Sequence, residues 1–387
     1  MAFNLAFYYH VPIIYEKGNL FCPGYLGVFI DALAEQIDGL VLLMHESDIK
    51  QSSDYLLRQK NITFISLGKK PSAWKRALFN ASILSEAINQ IKHCDFLLVR
   101  GPSPLAPFFG KNLETIKLAY LLVGDYQEVA KTVKLTSFRN LFIKSFLLIN
   151  NSLLESQLKE NLVIVNSQAL YKKYENLSNN IHLVNTTTLS DSDFYLRENT
   201  CQGKEINLLF TGRISFEKGL KELFYAFKEL TRNFKNLHLN IVGWEDDLSK
   251  PVEKKLRGIS QILDISERVT FHGFKNVGAE LNEVYRSSDI YVLPSYHEGF
   301  PRTIWEAMAN SLPVVSTNVG SIPFFLKDSI NSILIEPRNI EEIVNSISKL
   351  INNSDLRKKI ILDGQKLSKK ATLDIQTKKL INILKKS

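Results

Sequence analysis

The chain has 387 residues, of which 45% are hydrophobic and 23% are charged. This length exceeds what one ordinary core organises, so we predict two domains of roughly 150–200 residues each. The net charge is +8, but residues 355–387 hold ten Lys/Arg and only three Asp/Glu, so the rest of the chain is nearly neutral. That distribution excludes a generally basic, nucleic-acid-binding surface. We interpret the basic tail as a solvated helix face, with attraction to anionic lipid as the alternative.

The cysteines and the N-terminal stretch bear on location. Cys22, Cys94 and Cys201 lie far apart and show no metal-ligand spacing, which indicates a reducing compartment rather than a disulfide framework. The first twelve residues lack the basic start and long apolar stretch of a secretory signal. No run reaches the roughly 18 apolar residues that a membrane-spanning helix needs. We therefore predict a cytoplasmic protein, with contact to the inner face of the cell membrane as an open alternative.

Short apolar runs alternate with helical stretches in the first half of the chain. Nearly every position in these runs is apolar, which is typical of buried parallel strands. The predicted strands are 40–44, 62–66, 95–100, 117–123 and 161–166. A helix is predicted from Trp74 to Lys92. This alternation predicts a doubly wound α/β domain over residues 1–190.

A second series with the same alternation begins near Glu205. Its predicted strands are 206–212, 237–243, 269–273, 289–295 and 313–318, with helices at 218–233 and 340–352. We predict a second doubly wound α/β domain over residues 203–368, then a basic helix at 369–387 that packs back on the first domain. Residues 186–204 hold little that could form a core and are predicted to join the two domains. Open α/β sheets bind ligands outside the carboxyl ends of their strands, so we expect the site in a cleft between the domains.

The first candidate motif is FTGRISFEKG, residues 210–219, at the end of the second domain's first strand. Gly212 lets the chain turn sharply, and Arg213 and Lys218 follow it. A guanidinium that clamps oxygens bidentately and an ammonium that acts as a point charge suit a diphosphate. The start of the following helix adds a positive dipole end. The alternative is a pair of ordinary surface cations beside Glu217.

The second candidate motif is SYHEGFPRTIWEAMA, residues 295–309. Gly299 permits a ligand to approach the backbone closely, and Pro301 suits the first helical position. Glu298 in the loop and Glu306 in the helix bring two carboxylates to one strand end, where they can accept hydrogen bonds from ribose and sugar hydroxyls. The alternative, a helix cap and a surface charge, fits poorly because Glu306 has apolar sequence neighbours, among which an unpaired charge is costly.

Several motifs occur in a fixed order between residues 205 and 325. They are 212–219, 242–243, 271–274, 289–295, 298–301, 306–309, 313–315 and 319–320. Their order resembles that of the retaining glycosyltransferases of family 4. The resemblance implies the GT-B architecture, two Rossmann-like doubly wound α/β domains facing across a cleft. It also implies a nucleoside diphosphate sugar as co-substrate, with no other cofactor and no metal ion.

The resemblance implies roles for individual residues of the second domain. Arg213 and Lys218 would hold the donor diphosphate, and Glu306 would bind the ribose hydroxyls. Glu298 is the catalytic candidate and would hold the donor sugar. The donor-binding residues implied in this domain are Gly212, Arg213, Lys218, Phe274, Lys275, Glu298, Gly299, Phe300, Pro301, Arg302 and Glu306. Phe274 and Lys275 would border the base, and Trp244, which departs from the family pattern, would either stack on it or fill the cleft wall.

In the first domain the resemblance is weaker and implies two features. Such enzymes have a glycine-rich loop after the first strand that approaches the donor phosphate. Gly24 and Gly27 fit that loop, ahead of a predicted helix at 28–37, with a simple strand–helix turn as the alternative. Family members also carry a His or Asp after the fourth strand, near the reacting carbon. Asp125 is the second catalytic candidate on that ground.

Two stretches of the first domain bear on membrane contact. Residues 69–79, KKPSAWKRALF, combine cations with aromatic rings, and residues 138–149, FRNLFIKSFLLI, are apolar with few charges. Both suit a bilayer surface or a lipid-linked acceptor. The alternatives are a domain edge for the first and a core helix for the second. For 138–149 we favour the core helix.

These observations predict a retaining glycosyltransferase that moves a sugar from a nucleoside diphosphate donor to an acceptor hydroxyl. The resemblance implies a role in bacterial cell-surface polysaccharide or lipopolysaccharide synthesis. The expected partners are a nucleotide sugar and a saccharide or lipid-linked saccharide acceptor, with peripheral membrane contact and no nucleic acid. A sugar-nucleotide epimerase and a non-catalytic glycosyltransferase-like partner subunit are the alternatives. The motifs after Glu298 favour transfer, and Arg213, Lys218 and Glu306 favour retained chemistry.

Overall fold

The computed structural model describes residues 2–50, 54–111, 113, 116–245, 247–299 and 301–387. The chain divides into two compact units, Met1–Thr186 with Leu373–Ser387, and Thr187–Thr372. The predicted junction differs from this division, because residues 187–204 belong to the second unit. Leu189 is 1% exposed and lies in the core of that unit, so the segment contributes to a core despite its polar sequence.

The first unit is built on a parallel sheet of seven strands. The strands of this unit, in that sheet and in a smaller one, are β1 (Asn4–Tyr8), β2 (Ile14–Glu16), β3 (Asn19–Pro23), β4 (Gly39–Glu46), β5 (Asp54–Leu56), β6 (Ile62–Lys69), β7 (Phe96–Gly101), β8 (Lys117–Leu122), β9 (Leu162–Val165) and β10 (Ile181–Leu183). Its helices before the second unit are α1 (Gly24–Ala34), α2 (Ala73–Leu78), α3 (Asn80–Gln90), α4 (Tyr126–Thr132), α5 (Phe138–Leu158) and α6 (Gln168–Tyr174). The sheet order is β10-β9-β8-β7-β1-β4-β6, while β2, β3 and β5 form a small antiparallel sheet.

Both faces of the large sheet are covered, which explains the continuous apolar runs. In β1, Leu5 and Phe7 lie in one hydrophobic cluster, while Ala6 and Tyr8 lie in another on the opposite face. A strand with alternate side chains buried on both faces needs apolar residues at every position. The predicted helix 74–92 is divided in two, because α2 ends at Leu78 and α3 begins at Asn80, with Phe79 between them.

Helix α5 departs from the prediction of a core helix. Phe138 is 92% exposed, Phe142 58% and Ile149 62%, so its apolar side chains cover no core over the segment 138–149. Only its C-terminal part is buried, through Leu154 and Leu158. Among the helices of the described residues, none is both long and apolar enough to cross a membrane.

The second unit holds a parallel sheet of six strands. They are β11 (Ile206–Thr211), β12 (Leu237–Val242), β13 (Val269–Gly273), β14 (Ile290–Leu293), β15 (Val314–Thr317) and β16 (Ile333–Ile335). The helices are α7 (Leu220–Asn233), α8 (Pro251–Ile262), α9 (Ala279–Arg286), α10 (Arg302–Ala309), α11 (Ile322–Phe325), α12 (Ile340–Asn352) and α13 (Ser354–Ser368). The order is β13-β12-β11-β14-β15-β16.

The final helix, α14 (Leu373–Lys386), belongs to the first unit. Leu380, Ile381 and Leu384 lie in the same hydrophobic cluster as residues of α1. Gln376 accepts a hydrogen bond from the backbone N–H of Asn185 at 2.9 Å. The helix thus buries one apolar face, and its lysines at 378, 379, 385 and 386 are exposed.

Each parallel sheet has one point at which the strand order reverses. In the first unit it lies between β1 and β7, and in the second between β11 and β14. The loops that follow these neighbouring strands run in opposite directions, which leaves a crevice at the carboxyl edge of the sheet. The residues after β1, β7, β11 and β14 are therefore the candidates for a functional site.

Candidate functional site

The backbone at the carboxyl edge of the second sheet is held by hydrogen bonds between successive loops. The N–H of Gly212 donates to the carbonyl of Val242 at 3.0 Å, and that of Gly243 donates to Gly273 at 2.9 Å. Ile214 donates to the carbonyl of Trp244 at 2.7 Å. The loops after β11, β12 and β13 are therefore fixed to one another, which suits a site that must hold a ligand in one geometry.

Two glycines bring further loops into direct backbone contact. At Gly219, with φ +69°, a Cβ would lie 1.9 Å from the carbonyl oxygen of Pro294. At Gly320, with φ +57°, a Cβ would lie 1.7 Å from the carbonyl oxygen of Glu298. Neither position has room for a side chain, and both backbone conformations favour glycine. These contacts fix the position of the loop that carries Glu298.

Lys218 and Glu298, separated by 80 residues in sequence, form an ion pair at this edge. Lys218 Nζ lies 2.6 Å from Glu298 Oε1, and the side chains are 22% and 8% exposed. Ser295 Oγ donates to the same carboxylate oxygen at 2.6 Å. The structure thus places Lys218, which is predicted to bind the diphosphate, in contact with the predicted catalytic carboxylate of Glu298. An ammonium has three N–H donors, so Lys218 can hold Glu298 and still bind a phosphate oxygen.

Glu306 accepts hydrogen bonds from two hydroxyls that the sequence did not single out. Tyr285 donates to its Oε2 at 2.9 Å, and Thr188 donates to its Oε1 at 3.0 Å. Burial and the Glu306 charge hold the pKa of Tyr285 well above its ordinary value, so this hydroxyl stays protonated and donates. Tyr285 also shares a 2.7 Å hydrogen bond with Thr211 at the end of β11. These contacts orient the Glu306 carboxylate and satisfy part of its hydrogen-bonding capacity.

An aromatic pair lies beyond the ends of β12 and β13. The rings of Trp244 and Phe274 meet edge to face with centroids 5.8 Å apart, and the two residues are 45% and 47% exposed. Lys275, next in the chain, forms a 3.1 Å ion pair with Glu280. The exposed rings offer an aromatic surface for a planar ligand, and the pairing of Lys275 reduces its availability as a ligand.

Helix α10 starts one residue later than predicted. Pro301 is the N-cap and Arg302 the first helical residue, so the fixed φ of proline precedes the helix instead of opening it. Phe300 lies outside the described residues. Gly299 is exposed, with no atom within 4 Å of the position that a Cβ would take, and Arg213 is exposed after Gly212. The backbone at Gly299 therefore leaves space for a ligand, ahead of a helix that buries Trp305.

Asp125 lies in the first unit, where its carboxylate has several partners. It is 6% exposed and caps helix α4 by accepting a 2.6 Å hydrogen bond from the N–H of Gln127. Its other oxygen forms an ion pair with Lys173 and accepts from Tyr174 at 3.3 Å. These are the contacts of a helix cap tied to α6. The catalytic role of Asp125 stays a prediction.

Gly24 and Gly27 lie inside a helix instead of a loop before it. Helix α1 begins at Gly24, four residues earlier than predicted, and Gly27 is buried in its first turn. A Cβ at Gly27 would lie 2.3 Å from the ring of Tyr55, so this glycine lets α1 pack closely on β5. The helix follows the hairpin of β2 and β3, which separates it from β1. The predicted contact with a donor phosphate stays a prediction.

Comparison with known proteins identifies the second unit. Residues 191–367 match the family described as Glycosyl transferases group 1. An uncharacterized glycosyltransferase of Methanocaldococcus jannaschii is 30% identical over 185 residues, 48% of this chain and 46% of that relative. The capsular polysaccharide biosynthesis glycosyltransferase CapM of Staphylococcus aureus is 28% identical over 157 residues, 41% of this chain and 40% of that relative. The chain thus matches less than half the length of these curated relatives.

Solved structures resemble the chain over its whole length. Anabaena Alr3699/HepE, solved in complex with UDP-glucose, has a TM-score of 0.70 at 17% identity, covering 99% of this chain and 100% of that one. The likeness confirms the predicted GT-B fold of two Rossmann-like domains. The family match, residues 191–367, contains the motifs of residues 205–325 on which the predicted resemblance rests.

Proposed function

We propose that this protein, whose residues 191–367 match the group 1 glycosyl transferases, transfers a sugar from a nucleoside diphosphate donor to an acceptor hydroxyl. We further propose that the anomeric configuration is retained and that no metal ion is needed. The observation that carries the proposal is the convergence of Lys218, Glu298 and Glu306 on one sheet edge, at the point where the strand order reverses. The order of the motifs between 205 and 325 supports retention.

The leaving diphosphate gains negative charge as the glycosidic bond breaks. Lys218, Arg213 and the N–H groups at the start of α10 are the groups that would stabilise this charge. Electrostatic stabilisation by fixed donors is usually the largest single contribution to catalysis. Fixed cations of this kind supply the charge that a metal ion provides in other phosphate-transferring sites. Glu298, held by Ser295 and Lys218, would accept hydrogen bonds from hydroxyls of the donor sugar.

We propose a uridine diphosphate sugar as the donor. The solved relative from Anabaena was obtained with UDP-glucose, and the exposed rings of Trp244 and Phe274 suit a nucleobase. Stacking of a base on an aromatic ring contributes about 1–3 kcal/mol in nucleic-acid sites. Glu306, oriented by Tyr285 and Thr188, would accept from the ribose hydroxyls. The donor would then contact the loops after β11, β13 and β14.

We propose that the acceptor is a saccharide or a lipid-linked saccharide in cell-surface polysaccharide or lipopolysaccharide synthesis. The relative CapM is named for capsular polysaccharide biosynthesis, which supports this assignment. The cysteines Cys22, Cys94 and Cys201 are free, which fits a reducing compartment such as the cytoplasm.

Contact with the inner face of a membrane is the remaining part of the proposal. Between α2 and α5 lies an apolar groove of about 550 Å³, lined by residues that include Trp74, Leu78, Phe142 and Ile149. Exposed apolar side chains continue to Phe138, which is 92% exposed. The cations at 75, 139 and 144 lie on the same two helices. Apolar side chains with a cationic border suit an anionic bilayer surface.

Vesicle sedimentation tests the membrane contact. The full chain should sediment with vesicles that contain phosphatidylglycerol and much less with phosphatidylcholine alone. The double variant Phe138→Ser, Phe142→Ser should lose this binding. Leu248→Ser is the control, since Leu248 is 97% exposed in the second unit. Equal sedimentation of the double variant and the wild type would refute the contact.

An assay of donor turnover with and without acceptor tests the transfer itself. The full chain should release UDP from a UDP-sugar, faster with a saccharide acceptor, and to the same extent in EDTA. Proton NMR of the product should show the anomeric configuration of the donor. An altered sugar nucleotide without acceptor would indicate the epimerase. A chain that neither binds nor turns over any sugar nucleotide would indicate the non-catalytic subunit.

A further inference from the structure

The first unit has its own cluster of charged side chains at the reversal point of its sheet. His10 follows β1, Arg100 lies near the end of β7, and His45 lies near the end of β4. Arg76 comes from α2. The loops after β1 and β7 border the crevice where open α/β sheets bind ligands. In the second unit, the residues predicted to bind the donor lie at the equivalent point of the sheet. The cluster of the first unit therefore lies where a second bound molecule is expected.

Arg76 is buried and incompletely paired. It is 5% exposed, and within the part of the chain that the structure describes neither its Nε nor its Nη1 has a hydrogen-bond partner. A buried guanidinium without a counter-charge is strongly unfavourable, because its hydration is lost and nothing replaces it. Each of these nitrogens can donate a charge-assisted hydrogen bond to an oxygen of a phosphate or a carboxylate.

The surroundings of Arg76 are cationic. The charged neighbours with the largest effect on His10 are Lys70, Arg76, Arg100 and His45, and together with burial they lower the pKa of His10 to about 3. Arg100 is 7% exposed, with its guanidinium 4.7 Å from the centre of the Tyr9 ring, which holds it in place. Lys70 is exposed, but partial desolvation and then the Arg76 charge lower its pKa as well. The positive charges of Lys70, Arg76 and Arg100 repel one another, and a bound anion would offset this electrostatic repulsion.

Neutral donors complete the cluster. Tyr8 and Ser103 are fully buried and share a 2.7 Å hydrogen bond. Burial raises the pKa of Tyr8 to about 12, so its hydroxyl is protonated at neutral pH. The Nδ1 atom of His10 has no partner among the described residues and can donate or accept according to its tautomer. An oxyanion beside Arg76 would thus meet cations and neutral donors.

We propose that this cluster, which we call the first-unit anion site (His10, Lys70, Arg76 and Arg100), binds an oxyanion, phosphate or carboxylate, that is part of the acceptor. The assignment to the acceptor rests on the proposed function, in which the second unit holds the donor diphosphate. The acceptor is then an anionic saccharide or a saccharide phosphate. A neutral acceptor would leave Arg76 without a counter-charge.

Calorimetric titration of the full chain with inorganic phosphate tests binding without any turnover. The wild type should give a saturable isotherm near one site per chain, and Arg76→Gln should weaken it at least tenfold. Lys70→Gln, at an exposed position where the fold is not at risk, should weaken it about threefold. Lys92→Gln removes an exposed cation elsewhere in the first unit and should leave the phosphate isotherm unchanged. The site is overturned if the wild type binds neither phosphate nor acetate saturably. It is also overturned if Arg76→Gln and Lys70→Gln both bind phosphate as tightly as the wild type.

A competition titration separates the two sources of the oxyanion. If the site serves the acceptor, phosphate binding should persist when UDP is saturating. Displacement of phosphate by UDP would assign the site to the donor and overturn the proposal. In the turnover assay, Lys70→Gln should raise KM for the acceptor, whereas Lys92→Gln, at an exposed position outside the site, should change neither this KM nor the UDP release without acceptor. A wild type without any UDP release would contradict the proposed function, while the phosphate isotherm would still report on the site.

Discussion

The two units place charged side chains at the same topological position, the reversal point of a parallel sheet, but they treat the charges differently. In the second unit Lys218 contacts Glu298, and Glu306 accepts from Tyr285 and Thr188, so each charge has a partner. In the first unit Arg76 keeps two N–H groups unpaired among the described residues, and the charges that act most on His10 are cations.

The difference indicates how each edge is stabilised before a ligand arrives. In the second unit, the edge with Lys218, Glu298 and Glu306, which we call the paired edge, has a partner for each charge before a ligand binds. Glycines such as Gly320 fix its backbone, so a ligand meets side chains that are already oriented. In the first unit, the edge with Lys70, Arg76 and Arg100, which we call the cationic edge, carries electrostatic repulsion that a bound anion would relieve. A ligand should therefore stabilise the first unit more than the second. Substitutions at each edge can test this contrast.

The largest effect is expected for Lys218→Ala. Removing the ammonium takes away a donor from the developing diphosphate charge and leaves Glu298, 8% exposed in its side chain, without its counter-ion. Loss of one such donor lowers turnover by about 10²–10³-fold. Lys221→Ala removes an equal charge from an exposed position of α7 and should be close to wild type. Steady-state UDP release measures both variants, and equal rates would break the assignment of the paired edge.

Gly320→Ala tests whether the backbone of the paired edge is as tightly packed as the geometry indicates. The new Cβ would lie 1.7 Å from the Glu298 carbonyl at a φ of +57°. The left-handed conformation alone costs an L-residue about 1–2 kcal/mol, and the clash adds to it. The midpoint of urea unfolding should fall accordingly. Gly299→Ala, where nothing lies within 4 Å, should stay within about 0.5 kcal/mol of wild type. Equal midpoints would show that the loop moves freely.

Asp125→Ala separates a structural from a catalytic carboxylate in the first unit. Loss of the cap on α4 should cost about 0.5–2 kcal/mol of unfolding free energy, and the ion pair with Lys173 is lost as well. Asparagine is an equally good N-cap, so Asp125→Asn should retain most of the stability. Unfolding and UDP release are measured for both variants. If both fold normally but lose turnover about 100-fold, Asp125 is catalytic and the predicted role holds.

The sequence predicted the second unit better than the first, for physical reasons that particular residues show. In β14 (Ile290–Leu293) every residue is apolar and buried, which made this strand recognisable in the sequence. The motifs at 212–219 and 298–309 lie where strands end. Lys218 and Glu298 were predicted separately, but their ion pair depends on a fold that joins residues 80 positions apart. Tyr285 was missed because a single tyrosine in a helix gives no signal of its partner.

The first unit was harder to predict because its features depend on tertiary packing. The segment with Phe138 and Phe142 has the apolar composition of a core helix, and only the structure shows that both side chains are exposed. Gly27 fits a phosphate loop in sequence but serves the packing of α1 against Tyr55. His10, Arg76 and Arg100 lie on three elements, and no spacing in the sequence indicates that they meet. The short strands β2, β3, β5 and β10 gave no clear apolar run.

The smallest effect concerns the response of the cationic edge to acid. An unfolded histidine takes up a proton near pH 6.5, whereas burial and the neighbouring cations hold the pKa of folded His10 at about 3. The unfolded state therefore gains protons as the pH falls below about 6.5, and the folded state loses stability until the pH nears its own pKa. Between pH 7 and 5.5 this difference amounts to about 1 kcal/mol for one histidine. His10→Gln should lose correspondingly less stability than wild type over this range, and His93→Gln, at an exposed histidine of the same unit, should behave as wild type.

Urea unfolding at the two pH values provides the measurement, and saturating phosphate should raise the unfolding midpoint of the wild type. An identical loss for wild type and His10→Gln would show that His10 is solvated, and the contrast between the two edges would then rest on Arg76 alone.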